Sequence, residues 1–176
     1  MINYGPKDLA ASFRTVRKNT IRIANDIPAE KYDFSPAKGA RSVSEQLRHI
    51  AYLNEWHFEF HRTRRISSMK ELDMPTLRTS IRGRMTQPLD KAAIVSLLEK
   101  RGEEFATWLE SLTPAFLNET YTDMQGVSKT RFEHIMSAKE HEMTHRAQLM
   151  VIERMLGIVP HLTREGPPPM PVASQA

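Results

Sequence analysis

Apolar residues recur at three- and four-residue steps in four stretches of the chain, the spacing of an amphipathic α-helix. The first stretch runs Leu9, Phe13, Val16, Thr20, Ile23 and Ile27, with Pro6 where a first helical turn tolerates it and Pro28 as a stop. The second runs Val43, Leu47, Ile50, Leu53, His57 and Phe60. Ser42 and Glu45 open it at capping-box spacing, and Arg48, Glu55, Glu59 and Arg62 are expected to face away. In the third, Asp90 caps a helix carrying Ile94, Leu97, Leu98, Phe105, Trp108 and Leu112, closed by Thr113-Pro114. A second capping box, Thr130 with Glu133, starts the fourth, which stops at Gly157 with Pro160 beyond it, about 27 residues or roughly 40 Å.

The connections are long. Pro28, Pro36 and Gly39 punctuate the first, whose Tyr32 and Phe34 are expected to pack onto the helices. The stretch 63–88 has no sustained period and reads as a connection with at most a short helical turn, and 115–128 reads as irregular. Together these elements predict an all-α fold, a four-helix bundle over residues 1–160, followed by a Pro-rich tail over 161–176 that is expected to be extended or disordered from Gly166 onward. Helix four carries two apolar stripes. His134, Ala138, His141, His145, Leu149, Ile152 and Leu156 form one, and Phe132, Met136, Met143, Ala147 and Met150 the other, so the second stripe is expected to meet either another helix of the bundle or a second subunit, a homodimer being the favoured reading.

Composition changes this picture little. Hydrophobic residues make up 40% and charged residues 26%, as in an ordinary globular protein. Cysteine is absent, which excludes disulfides, thiolate metal sites and a cysteine nucleophile. The first residues lack the pattern of a secretory leader and no apolar run approaches a bilayer span, so a cytoplasmic location without a membrane partner is expected. The net charge of +4 is concentrated in 62–84 by Arg62, Arg64, Arg65, Lys70, Arg78, Arg82 and Arg84. Without the aromatics and glycines of a recognition module, that segment reads as a solvated connection rather than a nucleic-acid surface.

The candidate chemistry lies in helix four. His141 and His145 are four apart and point the same way, roughly 6 Å apart at the backbone, a two-ligand clamp for a metal ion. His49, on the buried side of helix two, can supply a third nitrogen, and three imidazoles would leave a position open for substrate. His57, His61 and His134 compete for that role on spacing alone, although packing or surface positions suit them and the tail residue His161 better. The string His141-Glu142-Met143-Thr144-His145 also fits the H-E-x-x-H signature of zinc proteases, with His161 or Glu165 as third ligand. That reading lacks a strand to align a peptide. Glu142 is placed as a base behind the metal, its alternative being an exposed pair with Arg146.

Several motifs carry a resemblance. Tyr32-Asp33-Phe34-Ser35-Pro36, then Arg41-Ser42-Val43 leading to Leu47-Arg48-His49-Ile50, then His141-x-x-x-His145-Arg146-x-Gln148-Leu149, resemble the DinB/YfiT-like family of metal-binding bundles, unrelated to the polymerase of similar name. The resemblance spans nearly the whole chain, departing from the family's usual glycine at Ala147. It implies a divalent metal, nickel or zinc, on His49, His141 and His145, and so selects His49 over His57. It further implies a homodimer, and a transferase, isomerase or hydrolase using a small-molecule substrate or low-molecular-weight thiol. The competing class is a non-catalytic bundle, a stress-related metal-binding protein or one that holds nucleic acid.

Overall fold

The computed structural model describes residues 4–166. Its long helices are α1 (Pro6–Asp26), α2 (Val43–Tyr52) continued by α3 (Asn54–His57), α5 (Lys91–Ser111) and α7 (Arg131–Met155), with α4 (Met74–Met85) between α3 and α5. A short α6 (Pro114–Asn118) and an antiparallel ribbon of β1 (Thr120–Thr122) and β2 (Ser128–Thr130) precede α7, and α8 (His161–Arg164) follows it. The capping signals act as their chemistry requires. Ser42 and Thr130 accept from the amides of Glu45 and Glu133, while those glutamates accept from the cap amides. At the far end of α7, Gly157 takes the positive φ of 77° that a helix stop of this kind demands.

Two apolar clusters fill the bundle. One gathers Ile23, Ile27, Leu47, Ile50, Leu98 and Leu149; the other gathers Phe13, Phe58, Phe105, Trp108 and Ile135. Between them along the helices runs a polar layer centred on Arg17 and Glu142, both almost fully buried. Arg17 Nε and Nη2 donate to the two oxygens of Glu142 at 2.8 and 2.9 Å, Nη1 donates to the Leu98 carbonyl at 2.8 Å, and Nη2 also reaches the Ile50 carbonyl at 3.4 Å. Thr20 Oγ1 donates to Glu142 Oε1 as well. Gly102 makes room for the arginine, since a Cβ there would lie 2.6 Å from Arg17 Cγ.

Four expectations need correcting. The stretch 63–88 contains a genuine helix, α4, capped by Asp73 and carrying Pro75 in its first turn; Ile81 is its one buried residue, so no apolar period announces it. Helix two loses its regular hydrogen bonding after Tyr52 and widens into a π-turn over Phe58–Thr63, where the Arg64 amide donates to the Glu59 carbonyl. Arg48 and Glu55 do not face solvent: Arg48 donates to the carbonyls of Ser44 and Gln87, and Glu55 pairs with Arg84 and Arg101. Finally, the bundle runs past residue 160. His161 is buried in α8, and Arg164 and Glu165 pair with Asp26 and Arg22; the tail beyond 166 lies outside the described residues. Among the described residues no helix is long and apolar enough to cross a membrane.

Two predictions follow from these buried groups. Glu142→Ala strands the Arg17 charge and should lower unfolding free energy by about 3–5 kcal/mol, read from urea denaturation; a loss under about 1 kcal/mol would contradict this role. Glu153 is fully buried, its carboxylate has no hydrogen-bond partner, and burial with nearby Asp26 raises its pKa from 4.5 to about 7. At this group the folded state therefore binds more protons than the unfolded chain between those values, so its contribution to stability falls as pH rises through that window. Measured across pH 4–8, the stability of the wild type relative to Glu153→Gln should fall by on the order of 3 kcal/mol as pH rises, and a difference that does not change with pH would contradict the assignment.

Candidate metal centre

Helices α2 and α7 face each other across the bundle, and three histidines meet between them. His141 and His145 lie one turn apart, their rings edge to face and their Nε2 atoms 3.1 Å from one another. The His49 ring lies 5.1 Å from that of His141 and 4.7 Å from that of His145, centroid to centroid. One ring nitrogen from each lies within 4.8 Å of the other two. Two nitrogens bound to zinc at about 2.0–2.1 Å at a tetrahedral angle stand roughly 3.3 Å apart, so the His141–His145 pair already has the required span.

Their protonation suits a ligand role. Burial lowers the pKa of all three, and the positive charge of Arg41 pushes the same way; His49 falls to about 3. Neutral imidazoles at physiological pH keep a lone pair for a cation. His145 Nδ1 lies 2.9 Å from Gln148 Oε1, which takes its proton and leaves Nε2 free on the side of His141. The Gln46 amide, one turn before His49, abuts the same nitrogen and donates to the same Gln148 oxygen. Spacing alone could have flagged Gln148, three residues after His145 on one helix face; Gln46 and Arg41 depend on how α2 docks.

Glu142 is not a base at this centre. It is 1% exposed, and Arg17 and Thr20 occupy its oxygens, so it neither stands behind the histidines nor pairs at the surface with Arg146. The protease arrangement fails for the same reason and for another: His161 sits 3.4 Å from Asn19 Oδ1, and Glu165 pairs with Arg22, both apart from the three histidines.

His57, His61 and His134 form a second group one step along the same helices, the first two buried and His134 half-buried, gathered in a way their spacing did not foretell. Ring nitrogens here also lie within 4.8 Å, but Arg131 makes the two groups unlike. Its guanidinium can only donate, and Nη1 lies 3.0 Å from His61 Nδ1, so that nitrogen carries no proton. His61 Nε2 then bears the hydrogen and donates to His134 Nδ1 at 2.9 Å. An ion here would have to displace that proton beside a fixed positive charge, which makes the group a hydrogen-bonded core network.

A model described as the DinB superfamily matches residues 12–149, a span that includes His49, His141 and His145. The chain belongs to the DinB superfamily. Among solved structures it is similar to a DinB-like protein from Bacillus subtilis, at 21% identity and TM-score 0.63, over 85% of this chain and 91% of that one. It is also similar to YfiT from Bacillus subtilis, described as "a probable metal-dependent hydrolase with an unusual four-helix bundle topology", at 13% identity and TM-score 0.67 over 90% and 91%. A mycothiol-dependent maleylpyruvate isomerase matches at 14% identity and TM-score 0.59, over 85% of this chain and 63% of that protein. At such identities the likeness establishes a shared DinB-type bundle. No curated protein sequence matches.

The tautomers of the second group can be read directly. Long-range proton–nitrogen correlation spectra should show His61 and His134 both protonated at Nε2; a proton on His61 Nδ1 would contradict the Arg131 assignment and reopen the group to metal.

Proposed function

We propose that this DinB superfamily member is a metal-dependent enzyme that transfers a low-molecular-weight thiol, or water, to a small electrophile. His49, His141 and His145 would hold the ion, with zinc and nickel both suited to three imidazoles. The observation that carries the reading is the convergence of three neutral ring nitrogens from two facing helices. Gln148 fixes the tautomer of His145 by accepting its Nδ1 proton, and α2 and α7 hold the rings without loop flexibility. When bound, the ion would supply Lewis acidity that lowers the pKa of a thiol or water at the open position.

The thiol branch has an added argument. With Glu142 committed to Arg17, the nearest cavity carries Glu45 as its carboxylate, and that group already accepts from the Ser42 amide. A site short of free bases favours a nucleophile that loses its proton easily, and a thiol near pKa 8.5 needs a far smaller shift than water at 15.7. The relatives described as a metal-dependent hydrolase and a mycothiol-dependent isomerase are consistent with either branch.

Elemental analysis of untagged protein tests the centre. About one divalent ion per chain is expected in the wild type and in His57→Ala, and under a tenth of that in folded His49→Ala, His141→Ala and His145→Ala. Wild-type protein that cannot be loaded, or loading indifferent to His49, would overturn the reading.

A further inference from the structure

The arginines of the basic 62–84 segment fall into two sets. Arg62, Arg64, Arg65 and Arg84 are each matched by a carboxylate, on Glu104, Glu59, Glu119 and Glu55 respectively. Arg78 and Arg82 have no carboxylate within 4.0 Å among the described residues, and neither does Arg41 at the entry to α2. These three unpaired cations line one cavity of about 470 Å³, and His49 of the proposed centre lines it too. A fourth arginine in its wall, Arg48, is spent on backbone carbonyls.

The placement follows from the fold. Ile81, 1% exposed, anchors α4 on α2, and Arg78 and Arg82, four residues apart, share a helix face to one side of it. Like charges four apart cost a helix a few tenths of a kcal/mol, a cost that an anion between them reverses. Trp56 adds an apolar wall. A cavity of this size with one apolar side, convergent cations and an adjoining candidate metal position has the make-up of a small-molecule pocket.

We propose that this cavity binds the anionic group of the substrate, a carboxylate or phosphate held by Arg41, Arg78 and Arg82 while the reactive end of the molecule reaches the His49 side. The proposal rests on the functional reading above, since it names the substrate class for that site. It also gives the basic segment a role: α4 is a cationic wall over the centre, and its charges serve a small anion rather than a nucleic-acid backbone.

Calorimetric titration of metal-free protein with succinate and with inorganic phosphate, at low ionic strength, tests this apart from the metal. Saturable binding of at least one anion is expected, weakened tenfold or more in the double variant Arg78→Gln/Arg82→Gln, with metal loading unchanged there, and weakened likewise in Arg41→Gln. Preference between the two probes tells carboxylate from phosphate. Affinity indifferent to these substitutions, or no saturable binding, would overturn the pocket while leaving the metal reading intact. Binding of duplex DNA that displaces both anions and depends on the same arginines would overturn it in favour of a nucleic-acid surface. Anion binding that survives in His49→Ala, beside a wild type that cannot be metal-loaded, would uphold the pocket and remove the metal reading instead.

Discussion

The guanidinium of Arg17 ties four helices to one point. From α1 it grips the Glu142 carboxylate on α7 and reaches backbone carbonyls on α5 and α2, in a layer from which water is excluded. A buried ion pair recovers its desolvation cost only when its hydrogen bonds are well made, and this one is nearly saturated. Its requirement for space explains Gly102, and the Ile50 carbonyl it reaches lies in the last turn of α2, where helix carbonyls lack an internal partner. The bond directions also set the rotation of α7: with Glu142 turned toward α1, His141 and His145 turn toward α2.

That rotation produces the two histidine groups. After α2 loses its regular hydrogen bonds, the chain continues through α3 into a π-turn, which keeps His57 and His61 on the bundle side. One α2–α7 interface thus offers two triads, each with one nitrogen per ring within 4.8 Å of the other two, and their chemistry differs. At the first, the Gln148 carbonyl takes the Nδ1 proton of His145 and leaves its Nε2 lone pair free; at the second, Arg131 forces a proton onto His61 Nε2. Side-chain neighbours, and not distances, separate a ligand set from a core network here.

Much of this was legible in the sequence. Three of the four long helices are bounded by caps and prolines that act as local chemistry requires, and the convergence of His49 with His141 and His145 could be expected from helical faces joined to the family motifs. What escaped depended on tertiary partners. Helix α4 buries a single residue and gives no period; the ribbon before α7 is three residues per strand, too short for an alternating pattern. Glu142 looked like a base because the wheel shows its angle to His145 but cannot show Arg17, 125 positions away, completing it from another helix. Arg48 and Glu55 read as solvent-facing because their partners sit on the α4–α5 side.

The account's central claim is that one ion binds at the first triad. X-ray absorption combined with anomalous diffraction on zinc-loaded protein tests it most directly. The account predicts a single ion bonded to Nε2 of His141 and His145 and to a ring nitrogen of His49, at about 2.0–2.1 Å. An ion seated among His57, His61 and His134, or one that draws Glu142 away from Arg17 as a ligand, would contradict it.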